Sequence, residues 1–296
     1  NVLAQCYILG EGSNTLFVES RAPKVLIPKF KGIEVEESVD AYRITVAAGE
    51  NWHRFVSFCV DNGYNGIENL ALIPGSVGAA PVQNIGAYGV EIGNFIESVS
   101  WYDLATQKLV VMTKEQCQFG YRDSLFKRDL LGKGVITEVS LVLPKQWTAQ
   151  ISYQGLDTLS VSATAKQVFE QVIAIRSQKL PDPNELPNAG SFFKNPVIKR
   201  TALNELLVSY PNIVYYPLDD QYVKVAAGWL IDRLGLKGFS LNGAAVHEKQ
   251  ALVLVNLENA SGMSIVRLAK HVQDKVYQSF GIVLEPEVRL VNNKGL

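Results

Sequence analysis

Ile73-Pro-Gly-Ser-Val-Gly-Ala-Ala-Pro-Val-Gln-Asn-Ile-Gly-Ala-Tyr-Gly89 sets Gly75, Gly78, Gly86 and Gly89 among small residues, with Pro74 and Pro81 between them. Glycine lets the main chain approach an anion closely, and Ser76, Gln83 and Asn84 add side-chain hydrogen bonds. No Lys or Arg occurs between Arg54 and Lys108. A diphosphate bound here would be gripped by peptide N–H groups rather than by salt bridges. The rival reading is a tightly packed loop that excludes bulky side chains. Glycines, prolines and interleaved amides in this density exceed what a simple turn requires.

Working outward, Cys6-Tyr-Ile-Leu9 reads as a short buried strand running into Gly10-Glu-Gly-Ser-Asn14. Gly10, Gly12, Ser13 and Asn14 offer the same anion chemistry. Position 15 is Thr, so the Gly-x-Gly-x-x-Gly dinucleotide fingerprint is not completed. Taken alone, this segment reads as a strand-to-strand turn. Strand-like stretches follow over 15–18, 24–27, 42–46, 98–102, 108–112 and 135–143, interrupted by an amphipathic helix over 52–62. This is strand-rich with interspersed helix and not the strict alternation of a doubly wound sheet, so the fold class is α+β.

After Trp147 the texture changes. Thr164-x-x-Gln167 has the form of a capping box, and Val168, Phe169, Val172, Ile173 and Ile175 keep helical spacing behind it. Arg176 and Lys179 lie three apart at the end of that helix, so both are expected to project from a similar face. Pro181-Asp-Pro183 then stops it, and the Pro/Asn-rich stretch 181–196 marks the best candidate for a domain boundary. Further helices fit 201–209, 225–234 and 263–280, with a strand at 251–256. Val283-Leu-Glu-Pro-Glu-Val-Arg-Leu290 alternates, which puts Glu285, Glu287 and Arg289 on one strand face and Leu284, Val288 and Leu290 on the other.

The chain has 296 residues, 47% hydrophobic and 19% charged, with a net charge of -1. That is globular composition with length for two domains, and it lacks the basic patch that nucleic acid or an anionic membrane would need. Cys6, Cys59 and Cys117 fit no paired spacing, which indicates a reducing compartment and small buried apolar roles. His53, His247 and His271 are dispersed, so no metal site is expected. No stretch is apolar for long enough to span a bilayer.

Eight segments, in order, resemble the bacterial UDP-N-acetylenolpyruvoylglucosamine reductase family. They are Gly10-Glu-Gly-Ser-Asn14, Ile73-Pro-Gly-Ser-Val-Gly78, Gln83-Asn-Ile-Gly-Ala-Tyr-Gly89 and Phe119-Gly-Tyr-Arg-Asp-Ser124. Lys179-Leu-Pro-Asp-Pro183, Asn188-Ala-Gly-Ser-Phe-Phe-Lys-Asn-Pro196, Ala226-Ala-Gly-Trp-Leu-Ile-Asp232 and Leu284-Glu-Pro-Glu-Val-Arg289 complete the set. The resemblance implies an FAD-binding domain of the vanillyl-alcohol-oxidase (PCMH) type over 1–148 and a connecting loop and helix over 149–185. It further implies a smaller α/β substrate-binding domain over 186–282 and a C-terminal strand, 283–296, returning to the active site. Family members usually begin with a further strand–helix unit, so the chain is expected to start inside its first domain.

The implied activity is a cytoplasmic reductase of peptidoglycan precursor synthesis that acts as a monomer, without nucleic-acid or membrane partners. NADPH reduces FAD, and the flavin delivers hydride to the enolpyruvyl ether of UDP-N-acetylglucosamine enolpyruvate. Residue by residue, the resemblance implies that Ser191 is the proton donor, Glu287 a catalytic carboxylate and Arg122 a clamp on the enolpyruvyl carboxylate. It assigns Tyr121 to the flavin beside the Gly-rich residues, and Tyr153, Arg176, Lys179, Asn195, Tyr216, Lys224 and Gln250 to the UDP-sugar. Read without the resemblance, Ser191 is a turn serine bonded to its own backbone. On the same footing Glu287 lies on a solvated strand face, Arg122 forms a surface ion pair with Asp123, and Trp229 is core. Two other functions are weighed: a different flavin oxidoreductase on the same cofactor fold, and a flavin-free nucleotide-sugar binding protein. Ser191, Glu287 and the Arg176/Lys179 pair oppose the first, since a neutral substrate needs no such cations.

Overall fold

The computed structural model describes residues 6–295, which form two compact units. Within the described chain, the first comprises residues up to Gly12 together with Pro23–Gln178. The second comprises Ser13–Ala22 and Lys179 onward.

The first unit is built on a five-stranded antiparallel sheet in the order Ile33–Glu37, Ala41–Ala47, Gly134–Pro144, Ile96–Asp103, Lys108–Thr113. Alternation along these strands sends Ile44, Val46, Val99, Trp101, Val139 and Leu141 into one core. The helix Trp52–Asp61 seals part of that core through Trp52, Phe55, Val56 and Cys59. Asn51 caps it, accepting the Arg54 N–H at 3.0 Å. The helix Ala165–Lys179 starts on the expected capping box: Gln167 N–H donates to Thr164 Oγ1 at 3.2 Å while Thr164 N–H donates to Gln167 Oε1 at 2.9 Å. Val168, Val172 and Ile175 are buried against the sheet core.

A buried polar pair underlies this unit. The Glu68 carboxyl, 1% exposed, accepts the Gly66 N–H at 2.7 Å and the Trp147 Nε1–H at 2.8 Å. Burial pushes its pKa up, and the two donated bonds only partly offset that. With the folded pKa above the unfolded one, the contribution of Glu68 to stability is complete at low pH and is lost as pH rises through the folded value. Urea denaturation from pH 4 to 7 is therefore expected to show wild type losing stability relative to Glu68→Gln. A pH-independent difference would contradict it.

The second unit holds a four-stranded sheet, Asn188–Ser191, Val253–Asn256, Ala244–Val246, Ser240–Leu241, and a three-stranded one, Val197–Lys199, Tyr222–Val225, Tyr215–Pro217. Its core gathers Phe193, Val223, Val225, Leu230, Leu254, Leu268 and Val272. Helices Arg200–Ser209, Ala227–Arg233 and Gly262–Phe280 lie close to their expected spans, and Trp229 packs against the core. Ser261 caps the last helix, and Gly281 ends it in the left-handed region.

Two expectations need correction. The stretch around Tyr7–Ile8 is a two-residue strand that is only half-buried, paired with the equally short Val25–Leu26. The strand foreseen over 283–290 is shorter: regular pairing begins at Arg289–Val291, parallel to Thr15–Phe17, after a lone bridge between Phe193 and Pro286. Proline has no N–H for the ladder, so pairing breaks at Pro286. The alternation survives, with Leu284 and Val288 buried and Glu285 exposed.

Candidate active site

In the first unit, Gly10 lies against the Gly-rich stretch at Ser76, near the start of the helix Trp52–Asp61. A Cβ on Gly10 would sit 3.0 Å from Ser76 Oγ. Asn51 bridges Ser76 through the backbone and donates its Nδ2 to Glu11 at 3.0 Å. Gly78 is required by close approach, since a Cβ there would fall 2.5 Å from that of Ala48. Gly12, at φ +78, faces open space.

Much of the 74–89 backbone is spent internally: the N–H groups of Val77, Gly78, Ala79, Ala80, Asn84 and Ile85 all donate to main-chain carbonyls. Asn84 is likewise committed. Its Nδ2 donates to Glu91 Oε2 and Gly120 O, both at 2.9 Å, and its Oδ1 accepts the Gly93 N–H at 2.8 Å. Its amide therefore shapes the loop and has no hydrogen left to give a ligand. Among the described residues, no acceptor pairs with the N–H groups of Gly10, Gly12, Gly75 or Ser76. Such donors at the N-terminus of a ten-residue helix suit a diphosphate, which is the group FAD would present there. Pro74 and Gln83 flank this region, Gln83 closing the short turn Pro81–Gln83.

Arg122 stands at φ +54, an uncommon setting for a side chain of this size. Its Nη2 donates to Gly86 O, its guanidinium lies 5.3 Å from the Tyr121 ring centre, and Lys127 holds its carbonyl at 3.0 Å. Asp123, its neighbour in the chain, pairs with Arg128 at 3.2 Å. Gly86 sits under the fork, where a Cβ would meet Arg122 Nη1 at 2.8 Å.

Tyr88 and Gly89 form the turn between Gly86–Ala87 and Val90–Glu91, with φ +48 and +83. A tyrosine held there costs on the order of 1–3 kcal/mol in backbone strain. Its carbonyl accepts Asn69 Nδ2 at 3.0 Å, and its ring meets Tyr153 edge-on with centroids 5.3 Å apart. Burial pushes its phenol pKa up, an effect the nearby Arg176 charge partly offsets. Arg176 is largely buried, which lowers its pKa, and its Nε has no partner among the described residues. Lys179, three residues on, is exposed.

In the second unit, Ser191 ends the strand Asn188–Ser191 after Gly190 at φ +72. Among the described residues its hydroxyl has no hydrogen-bond partner, so the self-bonded turn serine is not what forms. The chain continues beside the C-terminal segment: Glu287 N–H donates to Phe192 O at 2.7 Å and Lys194 N–H to Glu285 O at 2.9 Å. Ser191 and Glu287 therefore lie on adjoining stretches of backbone, with Glu287 half-buried. Glu285 is exposed and pairs with Lys194 at 3.4 Å. Asn14 donates Nδ2 to Glu287 O at 3.3 Å and accepts the Arg289 N–H at 3.1 Å. Arg289 Nη2 is buried without a partner among the described residues, which brings a cation beside the loop that carries Ser13 and Asn14.

Two of the nominated UDP-sugar residues, Asn195 and Gln250, lie at the start of the helix Ala227–Arg233. Asn195 Oδ1 accepts the Ala227 N–H at 2.9 Å, and a Cβ on Gly228 would lie 3.8 Å from Gln250 Oε1. Tyr216 and Lys224 are direct cross-strand partners, so their side chains share one face.

A family model of an FAD binding domain matches residues 4–111, and the model of the C-terminal domain of UDP-N-acetylenolpyruvoylglucosamine reductase matches residues 182–291. The UDP-N-acetylenolpyruvoylglucosamine reductase of Idiomarina loihiensis is 51% identical over 98% of this chain and 87% of that protein. That of Pseudoalteromonas translucida is 50% identical over 97% of this chain and 85% of that protein.

The chain belongs to the UDP-N-acetylenolpyruvoylglucosamine reductase family.

The solved structure of the Thermus caldophilus reductase shares the fold, with a TM-score of 0.66, 24% identity and coverage of 96% of this chain and 84% of that one. The α+β class and the resemblance both hold, and the protein is an FAD-dependent oxidoreductase. Among the described residues no helix is long and apolar enough to cross a membrane. The thiols of Cys59 and Cys117 are buried, the latter's pKa pushed up to about 12 by burial, so both are held protonated. In this family member the sequence reading passed over Asn69, Tyr88 and Arg289. A signal for Tyr88 was present, since a bulky ring before Gly at a hairpin turn stands where Asn is the favoured residue.

Proposed function

We propose that this chain reduces the enolpyruvyl ether of UDP-N-acetylglucosamine enolpyruvate to UDP-N-acetylmuramate, with NADPH as reductant, for peptidoglycan synthesis. In this reading it works as a cytoplasmic monomer, the first unit holding FAD and the second the UDP-sugar. The observation that carries the reading is Ser191, its hydroxyl without a hydrogen-bond partner among the described residues, on backbone that runs alongside Glu287.

Bound FAD would supply the hydride. Hydride on the methylene carbon leaves carbanion or enolate character on the carbon next to the carboxylate. Ser191 gives that carbon its proton; a hydroxyl is a weak acid, but an enolate is a strong enough base to take it. Glu287 supports the proton transfer. Arg122 offers a planar, permanently charged fork to the substrate carboxylate and so stabilises the charge that develops beside it. Gly10, Gly12, Gly75 and Ser76 give N–H groups to the FAD diphosphate, and Gly78, Gly86 and Gly89 leave the room. Asn195, Tyr216, Lys224 and Gln250, with Arg176, Lys179 and Tyr153, take the diphosphate and uridine.

The test is anaerobic. FAD-loaded protein is reduced with NADPH, and UDP-N-acetylglucosamine enolpyruvate is then added. Flavin absorbance is expected to return within the time of one turnover, with UDP-N-acetylmuramate as product. Flavin that stays reduced in the presence of the substrate would overturn the proposal. Colourless protein that binds UDP-sugar would instead favour the flavin-free alternative.

A further inference from the structure

We infer that Asn69 and Gln171 are positioning residues for the UDP-sugar: they clasp the two feet of a short arch, residues 150–155, and so present Tyr153 at its crown. The inference rests on the reading of Tyr153 as a UDP-sugar contact.

Between the strand Gly134–Pro144 and the helix Ala165–Lys179 the chain runs without a helix or strand. A long irregular stretch inside a compact domain is either disordered or tied down for a purpose. This one is tied down at particular points. At the first foot, Asn69 Nδ2 donates to Gln150 O at 2.8 Å. Just before it, Trp147 Nε1–H donates at 2.8 Å to Glu68, the neighbour of Asn69 on the turn Glu68–Leu70. At the second foot, Gln171 Nε2 donates to Gly155 O at 3.1 Å. Gly155 has φ +96, and a Cβ on it would lie 3.1 Å from Ile175 Cδ1, so this foot sits close against the helix that carries Gln171. Leu156 follows, fully buried in the core.

The crown has the opposite character. Ser152, Tyr153 and Gln154 are all exposed, and the Tyr153 carbonyl accepts the Leu156 N–H at 2.9 Å, which closes the bend. The Tyr88 ring meets that of Tyr153 edge-on and gives it one wall. Asn69 is not there for its packing. It is fully buried, yet its Oδ1 has no partner among the described residues, a cost that an apolar side chain of similar size would not carry. What it supplies is a bond to each of the two segments that set the Tyr153 ring, through Tyr88 O and Gln150 O. With both feet held, a substrate has residues 151–154 to order when it binds. With one foot loose it must order the whole arch, and that cost is subtracted from its affinity.

Gln171 is the clasp to remove, since Asn69 holds the Tyr88 hairpin as well. FAD-loaded wild type, Gln171→Met, Tyr153→Ala and the double variant are titrated with UDP by calorimetry, and hydrogen exchange over residues 150–156 is followed by mass spectrometry. Gln171→Met keeps the length of the side chain and its place on the helix, and removes the donor. It is expected to speed exchange over 150–156 and to weaken UDP binding about fivefold, the scale of one lost neutral hydrogen bond. In turnover it should raise KM for the UDP-sugar by a similar factor with kcat little changed, a split that general loosening of the fold would not produce. Tyr153→Ala should weaken UDP at least as much, and adding Gln171→Met to it should cost nothing further. If Tyr153→Ala binds UDP like wild type, the reading of Tyr153 is wrong and the inference falls with it. If Tyr153→Ala weakens UDP while Gln171→Met does not, or if the two losses simply add, Gln171 does not act through Tyr153 and only the inference fails. Exchange over 150–156 that is unchanged in Gln171→Met would equally show that this side chain is no clasp.

Discussion

Alanine in place of Ser191 is expected to slow protonation of the substrate carbon about 10²–10⁴-fold, leaving reduction of the flavin by NADPH near wild type. The two half-reactions separate in a stopped-flow experiment: flavin bleaching reports the first, and return of colour after substrate addition reports the second. The expectation follows from what Ser191 lacks. No partner within the described protein holds its hydroxyl, so its removal leaves no buried group unsatisfied and should not disturb folding. Glu285→Gln is the matched control. That carboxylate is exposed and shares only a surface ion pair with Lys194, an interaction generally worth about 0–1 kcal/mol. If Ser191→Ala slowed both half-reactions alike, or neither, the hydroxyl would not be the proton source.

The second large effect is expected at Arg122. Lysine keeps the positive charge but loses the planar pair of donors, and removing one such donor from developing charge typically costs about 10²–10³ in kcat. Arg122→Lys should therefore lower kcat for the UDP-sugar by that order. It should retain FAD, whose absorbance serves as the check on folding. The local backbone supports the arrangement: Gly86 carries no side chain under the guanidinium, and Tyr121 lies beside it. Turnover equal to wild type would show that charge alone suffices at this position and would rule out the bidentate clamp.

Much of this was legible in the residues. Helices announced themselves wherever a cap coincided with a clear apolar spacing, as at Thr164/Gln167 before Val168. The long strands Ile96–Asp103 and Gly134–Pro144 alternate cleanly and were equally plain. The short strands of the second unit were not. Asn188–Ser191 contains Asn, Gly and Ser, which have little intrinsic preference for an extended chain, and it is a strand only because Val253–Asn256 lies beside it. Tyr215–Pro217 ends in proline and survives as an edge strand. At the site, the sequence could nominate Asn84 for a ligand because an amide in a Gly-rich run offers hydrogen bonds. It could not show that Glu91, Gly93 and Gly120 use all of them, since Gly120 is 36 residues away along the chain. Arg176 and Lys179 looked equivalent by spacing, yet Arg176 is largely buried and Lys179 is exposed, a difference that spacing along one helix does not encode.

The strand Thr15–Phe17, which pairs with Arg289–Val291, has a consequence for the birth of the protein on the ribosome. Its residues leave the ribosome long before the partner that completes them. Until Arg289–Val291 has been made the strand lacks this pairing, and the second unit cannot finish assembling. A shortened gene product beginning at Lys179 would inherit the mirror-image defect, an unmated Arg289–Val291 edge open to pairing with its own copies. Such a fragment is expected to aggregate, and co-expression with a peptide spanning residues 13–22 is the natural remedy.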